Sequence, residues 1–144
     1  MEEIETLRNL VKEGKYADAL LLIDELDEMS CDDKIHKVES YMRVLLIQLI
    51  KKHVEQRTAR SWEVPITESL RQINRVNKRR KSGGYYFSES ELEEALADVL
   101  PDAVLRTSLE VKEGMLDEKQ LKAQIDENDI RQEALRLILE YQKS

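Results

Sequence analysis

The chain has one cysteine, Cys31, together with two prolines and four glycines. A lone thiol forms no disulfide within the chain and cannot by itself build a thiolate zinc site. So few glycines and prolines leave few positions for the tight turns that a many-stranded fold needs. Aromatic residues are scarce at 5 %, with one Trp and one Phe. No apolar run approaches the roughly 20 residues of a membrane span, and Met1-Glu2-Glu3 lacks the basic and apolar regions that open a signal peptide. A cytoplasmic protein is expected. Gly83-Gly84 is followed by neither Lys-Ser nor Lys-Thr, so there is no phosphate loop, and no nucleophile elbow occurs. Catalytic residues, metal ligands and cofactors are all expected to be none.

What the chain does have is charge, unevenly placed. Lys and Arg number 5 against 12 Asp and Glu over residues 1–40, 11 against 3 over 41–82, and 7 against 15 over 83–144. The three stretches therefore carry −7, +8 and −8 within a total of −7. A local excess of one sign attracts anionic partners within about a Debye length, roughly 8 to 10 Å.

Periodicity predicts an all-α fold, a single-domain helical bundle of about six to seven helices with a central apolar helix near residues 32–55. Two short helices, 2–13 and one from about Tyr16, should turn back on each other at Gly14. The run Leu10-Val11-Lys12-Glu13-Gly14-Lys15-Tyr16-Ala17-Asp18-Ala19-Leu20 is similar to the centre of a tetratricopeptide repeat. Thirty-four residues after Gly14 stands Gln48, inside a helix, so a lone hairpin is expected rather than an array.

Ser30 with Asp33 suggests a helix start, and Ile35, Val38, Met42, Leu45, Leu46, Leu49 and Ile50 then give the central helix one broad apolar face. Pro65 suits the first turn of a helix reaching about Lys81. Its inner side is Ile66, Leu70, Ile73 and Val76, and Arg71, Arg75, Lys78 and Arg79 fall on the other side. Ser88 with Glu91 forms a capping box, with Phe87 and Leu92 as its staple. Pro101 predicts a kink or break near residue 100. A helix end at Gly114, a second box at Asp117 and Gln120, and a break near Asn128 complete the sequence of elements.

Between Val38 and Arg80 stands an ordered set: Glu39-Ser40-Tyr41-Met42-Arg43-Val44-Leu45-Leu46-Ile47-Gln48-Leu49-Ile50-Lys51, then Arg60-Ser61-Trp62, then Ile66 and Leu70-Arg71-Gln72-Ile73. It resembles the bacterial family catalogued as domain of unknown function 29. The resemblance extends more weakly over 7–114, leaving 115–144 as a helical extension of one domain spanning 1–144. The run Asn77-Lys78-Arg79-Arg80-Lys81-Ser82-Gly83-Gly84-Tyr85-Tyr86 is similar to a subgroup typical of cyanobacteria. Gln48 stands where the family usually has a histidine, and Gln56-Arg57 where it often has Gln-Pro. The resemblance implies an all-helical fold and no established activity.

The candidate partner or anion surface is Arg57, Arg60, Trp62, Arg71, Arg75, Lys78, Arg79, Arg80, Lys81, Tyr85 and Tyr86. Three uses compete for it. It can meet a protein partner, either acidic or a second copy; its cations can pair with the chain's own acidic helices; or they can contact nucleic-acid phosphates with the tyrosines stacked on bases. The total charge is acidic and repels a polyanion at long range, so a protein-interaction module is expected, with a nucleic-acid-binding accessory protein on the basic helix 65–81 as the alternative. Burial alone explains Trp62 as a plug at the core's end, with Arg60 capping carbonyls. His53 falls on the apolar face of the central helix and is expected to be packed and hydrogen-bonded, since neither it nor His36 has ligand partners at metal spacing. Asp24 to Glu28 reads as a solvated face. A pocket joining Glu39, Arg43 or His53 would be the mark of an enzyme.

Overall fold

The structure, a computed structural model, describes residues 2–55, 63–79, 83–110 and 117–143. Among these are six helices: α1 Glu2–Lys12, α2 Tyr16–Glu55, α3 Glu63–Asn77, α4 Glu89–Glu110, α5 Glu118–Gln124 and α6 Glu127–Lys143. No described helix is long and apolar enough to cross a membrane. The chain divides into two compact units, Met1–Lys34 and Ile35–Ser144.

In the first unit, α1 ends where Gly14 takes a left-handed φ of 74°. The Lys15 N–H then reaches the Leu10 carbonyl and the Gly14 N–H the Val11 carbonyl, the two bonds of a Schellman motif. Tyr16 opens α2.

The predicted start at Ser30 is corrected, because α2 runs unbroken from Tyr16 to Glu55. Ser30, Asp32 and Asp33 are poor interior formers, but each costs only about 0.7 kcal/mol or less. No Gly or Pro lies between Tyr16 and Glu55 to break the ladder.

The second unit holds the hydrophobic core. From α2 come Val38, Met42, Leu45, Leu46, Leu49 and Ile50, with Leu70 and Ile73 of α3 buried beside them. Leu92, Leu96, Val99 and Val104 of α4, Leu121 of α5, and Ile130, Ala134 and Ile138 of α6 are among the residues that join them. Within this unit α6 packs against both α3 and α4, and α5 against α4. Each element therefore gives one apolar stripe to a shared interior, and full burial of a Leu or Ile contributes about 1.5–3 kcal/mol.

Both capping boxes form. Ser88 Oγ accepts from the Glu91 N–H at 3.2 Å and Glu91 Oε1 from the Ser88 N–H at 3.1 Å. Asp117 Oδ1 accepts from the Gln120 N–H at 2.7 Å, and Gln120 Oε1 from the Asp117 N–H at 3.0 Å. Phe87 and Leu92 are both buried, as a staple requires.

Of the kink or break expected near residue 100, a break does not occur: α4 continues through Pro101 to Glu110. Pro inside a helix costs about 3 kcal/mol or more. Val99, Leu100, Ala103 and Val104 are buried on either side of it, so unwinding would expose more than the missing N–H loses. The final break falls between Gln124 and Glu127, slightly before Asn128. Asp126 is the local cap there, its Oδ1 accepting from the Asn128 and Asp129 N–H groups at 3.0 and 3.2 Å. The predicted end at Gly114 lies outside the described residues.

Candidate partner surface on α3 and the turn after it

Pro65 sits in the first turn of α3, where its missing N–H has no intrahelical partner to lose. Leu70 and Ile73 then face the core, and Arg71 and Arg75 emerge on the exposed side. The helix stops at Asn77, short of the predicted Lys81. The reason is Asn77 itself, which is fully buried. Its carbonyl accepts the Tyr86 N–H at 2.8 Å and its Oδ1 the Phe87 N–H at 2.9 Å. Lys78 and Tyr85 then form an antiparallel bridge, and the Arg79 N–H reaches the Gly84 carbonyl. Gly83 and Gly84 at φ 76° and 73° supply the left-handed return.

This turn sorts the cations. Arg71 Nη2 donates to Glu68 Oε1 at 3.0 Å, and Gln72 Nε2 donates to the same oxygen at 2.9 Å. The Gln72 hydrogen bond, and after it that of Arg71, hold the Glu68 carboxyl pKa below its ordinary value, which favours the ionised form that Arg71 pairs with. The Arg79 guanidinium lies 4.4 Å from the centre of the Tyr86 ring, a cation–π stack. Arg75 and Lys78 are exposed, and among the described residues neither side chain makes a hydrogen bond, ion pair or ring contact.

Tyr85 and Tyr86 are both half-buried. The Tyr85 hydroxyl donates to the Gln142 carbonyl at 2.9 Å, tying the turn to the end of α6. Arg57, Arg60, Trp62, Arg80 and Lys81 lie outside the described residues. The structure therefore brings Arg75, Lys78, Arg79, Tyr85 and Tyr86 to one end of α3, with Arg71 one turn earlier.

The sequence reading missed Asn77. Its signal was available: an Asn at the end of an amphipathic stripe, just ahead of a Gly-Gly pair, is a common place for a helix to stop.

The other polar residues singled out are taken up between helices. Arg43 Nε forms an ion pair with Asp102 Oδ2, off the line a hydrogen bond needs, and Arg106 Nε holds the same carboxylate at 2.8 Å. His53 is exposed rather than packed on an apolar face, but it is hydrogen-bonded, its Nε2 standing 2.8 Å from Glu133 Oε2. Arg43 and His53 are thus held by different helices, α4 and α6. Among the described residues no group of three or more His, Cys, Asp or Glu could hold a metal ion.

No curated protein and no solved structure matches the chain. A family model does, over residues 1–126, taking in α1 to α5 and extending at both ends beyond the 7–114 region of the resemblance. The chain belongs to the family described as Domain of unknown function DUF29.

Proposed function

We propose that this protein is a non-catalytic, cytoplasmic protein-association module that presents the outer side of α3 and the Gly83-Gly84-Tyr85-Tyr86 turn to an acidic partner. One observation carries the reading: Arg75 and Lys78 are exposed and unengaged among the described residues, while Arg71 and Arg79 beside them are held by Glu68 and Tyr86. An exposed ion pair is worth only about 0 to 1 kcal/mol, so cations on such a face add little to the fold and are available to steer an encounter. In the sequence Arg57, Arg60 and Trp62 precede α3, and Arg80 and Lys81 follow it.

Nucleic acid is the second reading. The tyrosines weigh against it, since Tyr85 and Tyr86 are half-buried and one is already stacked under Arg79. The test is co-purification from the native cell, with and without nuclease, of the natural chain and an Arg75→Glu/Lys78→Glu variant. A protein partner that survives nuclease and is lost from the variant supports the proposal. Retention of nucleic acid alone favours the rival, and identical recovery with both chains removes the surface from consideration.

A further inference from the structure

The hairpin of α1 and the first part of α2 has almost nothing to bury itself with. Within Met1–Lys34, Ala19 is the one buried hydrophobic residue among those described. Leu7, Leu10, Leu22 and Leu26 are half-buried and make the seam between the helices. Ile4, Val11, Tyr16, Leu20 and Ile23 stay exposed, Tyr16 at 64 % and Leu20 at 62 %. A unit this short falls below the roughly 40 residues at which chains without disulfides or metals hold a core unaided. An open apolar face on it is a docking surface in want of an occupant.

Charge chooses the occupant. Residues 1–34 hold 4 Lys and Arg against 11 Asp and Glu, a balance of −7. Asp24 and Asp27 lie four residues beyond Leu20 and Ile23, so acid borders the apolar side chains on the same helix face. On α1, Arg8 and Lys12 are outnumbered by Glu2, Glu3 and Glu5. A second copy pairing hairpin to hairpin would bring an equal negative charge against this face, within a Debye length of about 8 Å where repulsion is felt. A helix with one apolar stripe and cationic flanks satisfies both features at once, in the helix-in-groove mode. We infer that the hairpin is a docking face for a cationic amphipathic helix of another protein. Its charge is opposite in sign to that of the α3 face; taken with the function proposed above, the chain then binds an acidic partner through one face and a basic helix through the other.

The probe is a fluorescent peptide of Leu and Lys at helical spacing, about 18 residues so that it can form a helix. A control peptide has the same composition scrambled to remove the stripe. Anisotropy titration with the full chain should show the amphipathic peptide binding roughly tenfold or more tightly than the scrambled one. Leu20→Gln/Ile23→Gln should abolish that preference. Leu109→Gln, at a residue 72 % exposed outside the hairpin, should keep it. Circular dichroism checks that each variant retains its helix content. Equal binding of the two peptides, no binding at all, or a preference that survives Leu20→Gln/Ile23→Gln overturns the inference. So does a dimer of the free chain, seen by sedimentation, that the double variant dissolves, because a second copy then occupies the face.

Discussion

Leu49→Ala should lower the stability of this protein by about 2–5 kcal/mol, measured as a shift of the urea midpoint at unchanged slope. Leu49 is completely buried in α2, among side chains from α3, α4 and α6. Truncation removes buried methyl groups and leaves a cavity that rigid helices on several sides cannot close. Domains of this size are stable by only about 5–15 kcal/mol, so the change takes a large share of the total. Leu109→Ala is the matched control: the same atoms are removed from a residue 72 % exposed, and the midpoint should move by no more than about 0.5 kcal/mol. Equal effects at the two positions would mean that α2 is not the centre of the core.

The second large effect is expected at Asn77. Asn77→Ala deletes the Oδ1 that accepts the Phe87 N–H, leaving a buried donor unpaired at a cost of about 1–3 kcal/mol. The Asn77 Nδ2 finds no partner among the described residues, so the acceptor side of the carboxamide is what the fold uses. The change reaches beyond stability, because the same residue sets where α3 ends and where Lys78 and Arg79 turn. Hydrogen exchange should therefore accelerate at the Tyr86 and Phe87 amides, which Asn77 accepts, more than at Leu96 in the interior of α4. Uniform acceleration would show that Asn77 acts only on global stability and does not define the turn.

The Asn77 case also shows what the sequence could disclose. The two capping boxes were legible because each is decided by residues three apart, and local chemistry is complete within that span. The stripe of Leu70 and Ile73 opposite Arg71 and Arg75 was legible for the same reason. The end of α3 was not, because the groups that compete for Asn77 arrive from residues 86 and 87 after a glycine return. The continuity of α2 through Ser30, and the choice between a kink and a break at Pro101, depend on more than local chemistry. A capping residue inside a helix costs about 0.7 kcal/mol or less where no Gly or Pro interrupts the ladder, and at Pro101 burial on either side offsets the larger cost. At the surface, the positions of the cations could be read but not their use. Arg71 pairs with Glu68 at a spacing visible in the sequence, whereas the stack of Arg79 on Tyr86 exists only once the turn has formed.

Among the described residues Arg75 and Lys78 are cations with no partner in the fold. The direct measurement is the unfolding free energy in urea of Arg75→Gln/Lys78→Gln beside the natural chain. Glutamine keeps helix propensity and length while removing charge, and Arg75 in the last turn of α3 loses only a helix-dipole contribution of about 0.3–1 kcal/mol. The expected loss is no larger than about 1 kcal/mol, insensitive to added salt beyond that small contribution. A loss of about 2 kcal/mol or more that shrinks with salt would show the two cations pairing within the chain, and would contradict their assignment to an outside partner.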